Sequence, residues 1–219
     1  MISALFSLEH RLALIVGAAN TYGLAAARAF LEAGARVIVV DADAERLAEM
    51  VAPLGANCLA IPCGDASDDG IAATLERCRA FGPIDVVASV VFAESAVGVA
   101  EAARLSTAWL SAAARRGSLK VGAAMLAILA CDEAAMPALL PMLQAAIRDE
   151  ALGWAPGGMR VNGIAVARST AAAPLDRVPG PDDVAGAILY FATEASAMVT
   201  GAVLVVDGGR SLMGAETRT

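Results

Sequence analysis

Side chains suited to proton transfer are scarce in this sequence. Its 219 residues include one lysine, Lys120, one histidine, His10, and two tyrosines, Tyr22 and Tyr190. A tyrosine and a lysine four positions apart on a helix would face the same side, and the ammonium group would lower the phenol pKa from about 10. No spacing of these residues forms such a pair. The sequence therefore predicts no acid–base couple of this kind.

The four cysteines do not supply an alternative site. They show neither a CxxC spacing nor a spacing typical of metal ligands, and one histidine adds little, so no metal site is predicted. Cys131 follows a predicted buried strand, where a lone cysteine is usually a small hydrophobic residue rather than a nucleophile.

Composition excludes several classes of partner. The chain is 58% hydrophobic with a mean hydropathy of +0.64, but its longest uncharged run, Leu12–Ala27, is broken at Asn20–Gly23. A membrane-spanning helix needs about 20 continuous apolar residues, so none is predicted. A net charge of −7 argues against nucleic acid or an anionic membrane as a partner. With no signal-peptide pattern, we expect a cytoplasmic protein that buries part of its apolar surface against partner subunits.

Short apolar runs alternate with longer, alanine-rich stretches of helical pattern. Strands are predicted at Leu12–Val16, Val37–Val40, Cys58–Ile61, Val86–Val91, Met125–Ala130, Val161–Ala165 and Val203–Val206. Helices are predicted at Leu24–Ala33, Ala44–Val51, Gly70–Phe81, Val97–Arg115, Glu133–Trp154 and Asp182–Thr193. This alternation indicates α/β architecture: a single domain, residues 1–219, with a Rossmann-like, doubly wound parallel sheet and helices on both faces.

Segments near both ends of the chain match motifs of a known protein family. Gly17 and Gly23 flank a loop between the first predicted strand and helix, where a tight turn and a helix N-terminus suit a pyrophosphate. Ala155–Asn162 has the sequence Ala-Pro-Gly-Gly-Met-Arg-Val-Asn, and Val206–Gly209 has the sequence Val-Asp-Gly-Gly. With these segments in this order, the chain resembles the short-chain dehydrogenase/reductase family over nearly its whole length.

The resemblance implies a dinucleotide site at the glycine loop. Gly17, Asn20, Tyr22 and Gly23 would contact the cofactor there. Thr21 replaces the second glycine of the family pattern, and its Cβ would crowd the pyrophosphate. We therefore expect either no cofactor or weakly bound NAD.

Two further acids stand where the family contacts the adenosine half of its cofactor. Asp41 would accept hydrogen bonds from the ribose hydroxyls and repel a 2′-phosphate, which favours NAD over NADP; alternatively it caps the following turn. Asp65, followed by Ala66, would meet the adenine amino group; alternatively Asp65 or Ser67 caps the next helix.

The family's proton-transfer residues are not matched. Its Tyr-x-x-x-Lys pair, in which the lysine lowers the phenol pKa and holds the nicotinamide ribose, falls at Met136 and Leu140. Its serine falls near Ala130 and Cys131, and its Asn-Asn-Ala-Gly segment appears as Ser89–Phe92. Neither a thioether nor an alkyl group can transfer a proton.

These substitutions predict a catalytically inactive subunit. It would assemble with and stabilise an active, NAD-dependent homologue, as a heterotetramer, or associate with itself; a hydroxyacyl-CoA-type dehydrogenase of anaerobic aromatic degradation is one such two-subunit arrangement. The helices predicted at Val97–Arg115 and Glu133–Trp154 resemble the dimerising helices of the family. Two alternatives remain open: an NAD(H)-binding sensor, and an enzyme with non-redox chemistry on the same fold.

Overall fold

The computed structural model describes residues 2–64, 67–93, 99–168 and 173–212. The strands are β1 (Leu12–Val16), β2 (Arg36–Asp41), β3 (Cys58–Pro62), β4 (Ile84–Ala93), β5 (Leu119–Asp132), β6 (Arg160–Arg168) and β7 (Val203–Val206). The helices are α1 (Ile2–Leu5), α2 (Thr21–Glu32), α3 (Ala44–Val51), α4 (Asp68–Arg79), α5 (Val99–Arg115), α6 (Met136–Trp154) and α7 (Asp182–Ala192). All seven predicted strands are present.

The strands form one parallel sheet in the order β3-β2-β1-β4-β5-β6-β7. The predicted Rossmann-like, doubly wound sheet is therefore confirmed. The strand order reverses between β1 and β4, and open α/β sheets of this kind bind ligands outside the carboxyl ends of their strands at such a point. The topology therefore predicts a ligand site at the carboxyl ends of β1 and β4.

Two hydrophobic layers cover the faces of the sheet. Because successive strand residues point to opposite faces, Leu14 packs into one layer and Ile15 into the other. The first layer is closed by α4, α5 and α6, and the second by α2, α3 and α7. Both faces being covered explains why the strands are nearly continuous apolar runs.

Many element bounds differ from the sequence-based expectation by a few residues, and three of the differences have a clear physical reason. Helix α2 begins at Thr21 rather than Leu24, because the preceding side chain caps it there. Strand β5 begins at Leu119 rather than Met125; its early residues Lys120–Gly122 are exposed and give no apolar signal. The short α1 was not predicted, since four residues are too few to show a helical period.

The segment most similar to the family, at the start of β6, has a structural role. Arg160 donates hydrogen bonds to the carbonyl oxygens of Phe191 and Thr193, at the end of α7. Asn162 donates to the Val199 carbonyl and accepts from the Ala202 amide, in the turn before β7. These contacts tie three consecutive elements together and leave no group for chemistry.

An acid at the amino edge of the sheet holds the only lysine of the chain. The Asp85 carboxylate, nearly buried, accepts hydrogen bonds from the Leu12 amide at 3.0 Å and from Arg11 at 2.9 Å. The Lys120 ammonium lies 3.3 Å from the same carboxylate. Burial alone would raise the pKa of Asp85, but these donors together hold it below its ordinary value. The lysine therefore stabilises the edge opposite to the ligand-binding one.

Within the described residues, no helix is long and apolar enough to cross a membrane. Nor do the described residues bring together three or more histidine, cysteine or acidic side chains that could hold a metal ion.

Replacing Asp85 with asparagine should lower the free energy of unfolding by about 1–3 kcal/mol, because the amide has one acceptor oxygen and cannot accept from both Leu12 and Arg11, and because it carries no charge to pair with Arg11 and Lys120. The contribution of the carboxylate is present above the pKa of an unfolded carboxyl and is lost as the pH falls through the lower pKa of the folded state. The free energies of unfolding of the unmodified protein and of Asp85→Asn, measured with denaturant, should therefore become more similar as the pH is lowered. Asp149→Asn, on an exposed position of α6, serves as the control, and equal effects of both substitutions would contradict this role.

Candidate functional site

A cavity of about 310 Å³ opens at the carboxyl edge, where the strand order reverses. Its wall includes Gly17, Asn20, Asp41, Cys63, Ser89 and Phe92, and Leu105 and Trp109 of α5 close one side. Three of the residues predicted to bind a cofactor therefore meet in one cavity. The others from the sequence analysis are Tyr22 and Gly23, next to it in the loop, and Asp65 and Ala66, which lie outside the described residues.

Both loop glycines are required by packing. Gly17 has a φ of +69°, and a Cβ added there would lie 2.1 Å from the Val90 carbonyl oxygen. A Cβ at Gly23 would lie 2.4 Å from the Ala18 carbonyl oxygen. No side chain fits at either position, so the loop runs directly against the end of β4 and bounds the cavity.

Asn20 caps helix α2 with its side chain. Its carbonyl oxygen accepts hydrogen bonds from the amides of Tyr22 and Gly23 at 3.0 and 2.9 Å, and its amide nitrogen donates to the Gly17 carbonyl. The amides at a helix N-terminus are the groups that bind phosphate in folds of this kind. Two of them are already hydrogen-bonded here, so a pyrophosphate would have to compete with Asn20. Thr21, the first residue of α2, is exposed.

Asp41 joins β2 to the glycine loop. One carboxylate oxygen accepts from the Ala19 amide at 2.8 Å, and the other accepts from the Asp43 amide at 3.2 Å. Each oxygen of a carboxylate can accept a second hydrogen bond, and this carboxylate borders the cavity. The two roles considered for Asp41, organising a turn and binding a ribose, are therefore compatible.

Aromatic rings and charges gather at the end of the cavity formed by β4. The Tyr22 and Phe92 rings have centroids 5.7 Å apart, and the Arg168 guanidinium carbon lies 5.5 Å from the Phe92 centroid. Arg168 is also paired with Asp132, with 3.5 Å between nitrogen and oxygen. Arg168 and Asp132 end the neighbouring strands β6 and β5 in direct register.

The phenol of Tyr22 is held in its protonated form. Burial raises its pKa above the ordinary value; the charge of Arg168 opposes this shift, and that of Asp183 adds to it. At neutral pH the phenol therefore carries its proton, and it is a weaker acid than an unperturbed tyrosine.

The positions equivalent to the family's catalytic tyrosine, lysine and serine carry no side chain suited to proton transfer at neutral pH. Met136 is buried at the start of α6, and with the half-buried Leu140 it borders a second cavity of about 210 Å³. Ala130 and Cys131 are fully buried. Burial raises the pKa of the Cys131 thiol to about 11, so the thiolate needed for nucleophilic chemistry is scarce at neutral pH.

Sequence reasoning did not assign several members of the site. Phe92 is part of the segment that replaces the family's Asn-Asn-Ala-Gly, and Arg168 matches no motif of the family. Trp109 and Leu105 come from a helix whose apolar residues give no signal that distinguishes a cavity wall from ordinary core. Arg168 lies three residues beyond the predicted strand Val161–Ala165, so no sequence pattern indicated that its side chain would lie over Phe92.

Comparison with known proteins supports the family resemblance. Residues 11–109 match the family model described as short chain dehydrogenase, and residues 165–211 match that described as enoyl-(acyl carrier protein) reductase. The chain is thus similar to the short-chain dehydrogenase/reductase family in both of these segments. Among its relatives is the cis-4-hydroxycyclohexanecarboxylate dehydrogenase of Sinomonas cyclohexanicum, 29% identical, with 91% of this chain and 96% of that protein covered.

One further relative and one solved structure show how far the similarity extends. The galactitol 2-dehydrogenase (L-tagatose-forming) of Cereibacter sphaeroides is 27% identical, with 93% of this chain and 96% of that protein covered. A gluconate 5-dehydrogenase from Burkholderia cenocepacia, solved in complex with NADP and tartrate, superposes with a TM-score of 0.78 at 22% identity, covering 98% of this chain and all of that chain. The last comparison shows that the fold is shared.

The expectation of a catalytically inactive subunit is wrong. It rested on the substitutions at Met136 and Leu140, at Ala130 and Cys131, and in Ser89–Phe92, whereas relatives that match more than nine-tenths of the chain are named dehydrogenases. General acid–base catalysis contributes about 10²–10⁴-fold to a rate, and positioning of the reactants contributes separately and by more. The loss of the family's proton-transfer residues was therefore too little ground for concluding that activity is lost.

Proposed function

We propose that this chain is an NAD(H)-dependent oxidoreductase that interconverts a secondary alcohol and a ketone. The observation that carries the proposal is the Asp41 carboxylate, which ends β2, is fixed by the glycine loop and borders the cavity. In nucleotide-binding sheets an acid at this place accepts hydrogen bonds from a ribose and disfavours a 2′-phosphate. When bound, the dinucleotide would supply or accept the hydride.

The relatives support the choice of substrate class. The hydroxyl named in cis-4-hydroxycyclohexanecarboxylate is on a ring carbon, and a galactitol 2-dehydrogenase acts at an inner carbon of a polyol. Both are secondary alcohols. The match covers more than nine-tenths of each protein, so the same class of reaction is the proposal for this chain.

We propose that NAD(H) is bound weakly. The Asn20 side chain already accepts from the Tyr22 and Gly23 amides, which a pyrophosphate would otherwise engage. In addition, the one lysine of the chain, Lys120, is paired with Asp85 at the opposite edge of the sheet. It cannot hold the nicotinamide ribose as the family's lysine does.

We propose Tyr22 as the proton donor. Its ring contacts Phe92, which forms part of the cavity wall, and burial keeps its phenol protonated. In the reducing direction the phenol would protonate the substrate oxygen as the hydride arrives at carbon, and the resulting phenolate would be stabilised by the positive charge of Arg168. Solvent would then return the proton.

The cofactor assignment is tested by calorimetric titration with NADH and NADPH. We expect NADH to bind with a dissociation constant above about 10 μM, and NADPH to bind more weakly still because of its 2′-phosphate. Asp41→Asn should reduce the difference between the affinities for NADH and NADPH. The control variant Asp149→Asn should leave this difference unchanged. Equal affinities in the unmodified protein would contradict the role of Asp41.

The reaction is tested by following NADH absorbance. We expect turnover of L-tagatose with NADH, or of galactitol or cis-4-hydroxycyclohexanecarboxylate with NAD⁺. Tyr22→Phe should lower the rate of whichever reaction is found by about 10²-fold with little change in KM, because only proton transfer is lost. Tyr190→Phe, at a half-buried position of α7, is the matched control. An unchanged rate in Tyr22→Phe would remove Tyr22 from the mechanism.

We also propose that the chain associates with itself. Around the edge strand β7 the side chains of Leu204, Leu212 and Met198 are 43%, 87% and 97% exposed, and apolar clusters of this kind are usually covered by a partner. Light scattering at micromolar concentration should show a dimer or larger assembly, and Leu204→Glu should shift it towards the monomer. A monodisperse monomer would contradict the proposal, and a second, homologous chain in native mass spectrometry would instead identify a mixed assembly.

A further inference from the structure

A positive charge lies beside the part of the cavity wall that Phe92 forms. The Arg168 guanidinium carbon lies 5.5 Å from the centre of the Phe92 ring. A guanidinium at this distance is attracted by the ring. This contact keeps the charge near the cavity wall, although the Arg168 side chain is 44% exposed.

The spacing of the strands puts this charge within the reach of a bound dinucleotide. In the order β2-β1-β4-β5-β6 the ends of β4 and β6 lie two and four strand spacings from the end of β2, about 10 and 19 Å, and the Arg168 guanidinium reaches from β6 back to the Phe92 ring on β4. A dinucleotide with its adenosine half at Asp41 and running along the carboxyl edge would bring its nicotinamide to Phe92 and Arg168.

A fixed charge at that point distinguishes the two redox states of the cofactor. The oxidised nicotinamide ring carries a positive charge and the reduced ring is neutral, so a neighbouring guanidinium disfavours the oxidised state alone. Asp132 pairs with Arg168 at 3.5 Å and offsets part of the effect. Because both side chains are about half exposed, solvent screening reduces the remainder to a modest factor.

We propose that Arg168, seated on Phe92, positions the nicotinamide half of the cofactor and makes the site bind NADH more tightly than NAD⁺. The inference rests on the proposed function, since it requires that a nicotinamide dinucleotide binds in this cavity. It makes Arg168 a residue that determines which redox state of the cofactor is bound. A preference for NADH suits the reduction of a ketone.

The test is calorimetric titration of the whole protein with NADH, NAD⁺ and AMP, which carries only the adenosine half. The unmodified protein should bind NADH about three- to tenfold more tightly than NAD⁺. Arg168→Ala should bring the ratio of NADH affinity to NAD⁺ affinity close to one and leave the affinity for AMP unchanged. Arg168→Lys, which keeps the charge without the planar group, should retain part of the ratio.

Two further variants sharpen the test. Asp132→Asn removes the compensating charge and should raise the NADH/NAD⁺ ratio, which is the opposite direction to Arg168→Ala. Arg148→Ala removes an exposed arginine on α6, away from the cavity, and should change none of the three affinities. Thermal unfolding of each variant identifies any that is misfolded, in which case the Asp132→Asn and Arg168→Lys arms decide the question.

The outcomes separate this inference from the proposed function. If AMP and NADH bind but NAD⁺ binds equally well, or if Arg168→Ala weakens AMP as much as NADH, the role of Arg168 is refuted and the cofactor assignment stands. If none of the three ligands binds, the proposed function is refuted and this inference with it.

Discussion

The carboxyl edge of the sheet is shaped by how closely the chain leaving β1 passes the end of β4. At Gly17 a Cβ would lie 2.1 Å from the Val90 carbonyl oxygen, so no residue with a side chain can follow the same path. The loop turns over the sheet at this point, and Asp41 fixes it from the other side through the Ala19 amide. The cavity is the space that this tight passage leaves between the loop, β4 and α5.

The same compactness limits what the loop can offer a ligand. Helix α2 starts early because Asn20 caps it, and that cap uses two amides that in related folds face a phosphate. A good cap contributes about 1 kcal/mol to helix stability, and a pyrophosphate that displaced it would gain its own hydrogen bonds only by breaking these. Local stability and cofactor affinity are thus in competition at one residue.

The sequence predicted the sheet well and the site less well, for the same physical reason. Strands buried on both faces are continuous apolar runs, which a single sequence displays directly, and the glycine loop and Asp41 follow the first two runs at fixed spacing. Phe92, Arg168 and Trp109 converge only through the strand order and the packing of α5, and an aromatic or an arginine at a strand end has no distinctive pattern. The conclusion that the chain is inactive came from the same source: it weighed individual residue types without knowing which other groups the fold would bring to the cavity.

Two cationic side chains, Lys120 and Arg168, lie at opposite edges of the sheet and have different roles. Lys120 is bound to a buried carboxylate at the amino edge, where it supports the fold, while Arg168 lies at the carboxyl edge beside the aromatic rings. The field of Arg168 lowers the pKa of Tyr22, but burial is the larger effect and keeps the phenol protonated. A cation that disfavours an oxidised nicotinamide and a phenol that carries its proton both suit ketone reduction. Alcohol oxidation at the same site would need the phenolate as its base, and the raised pKa makes that form scarce at neutral pH.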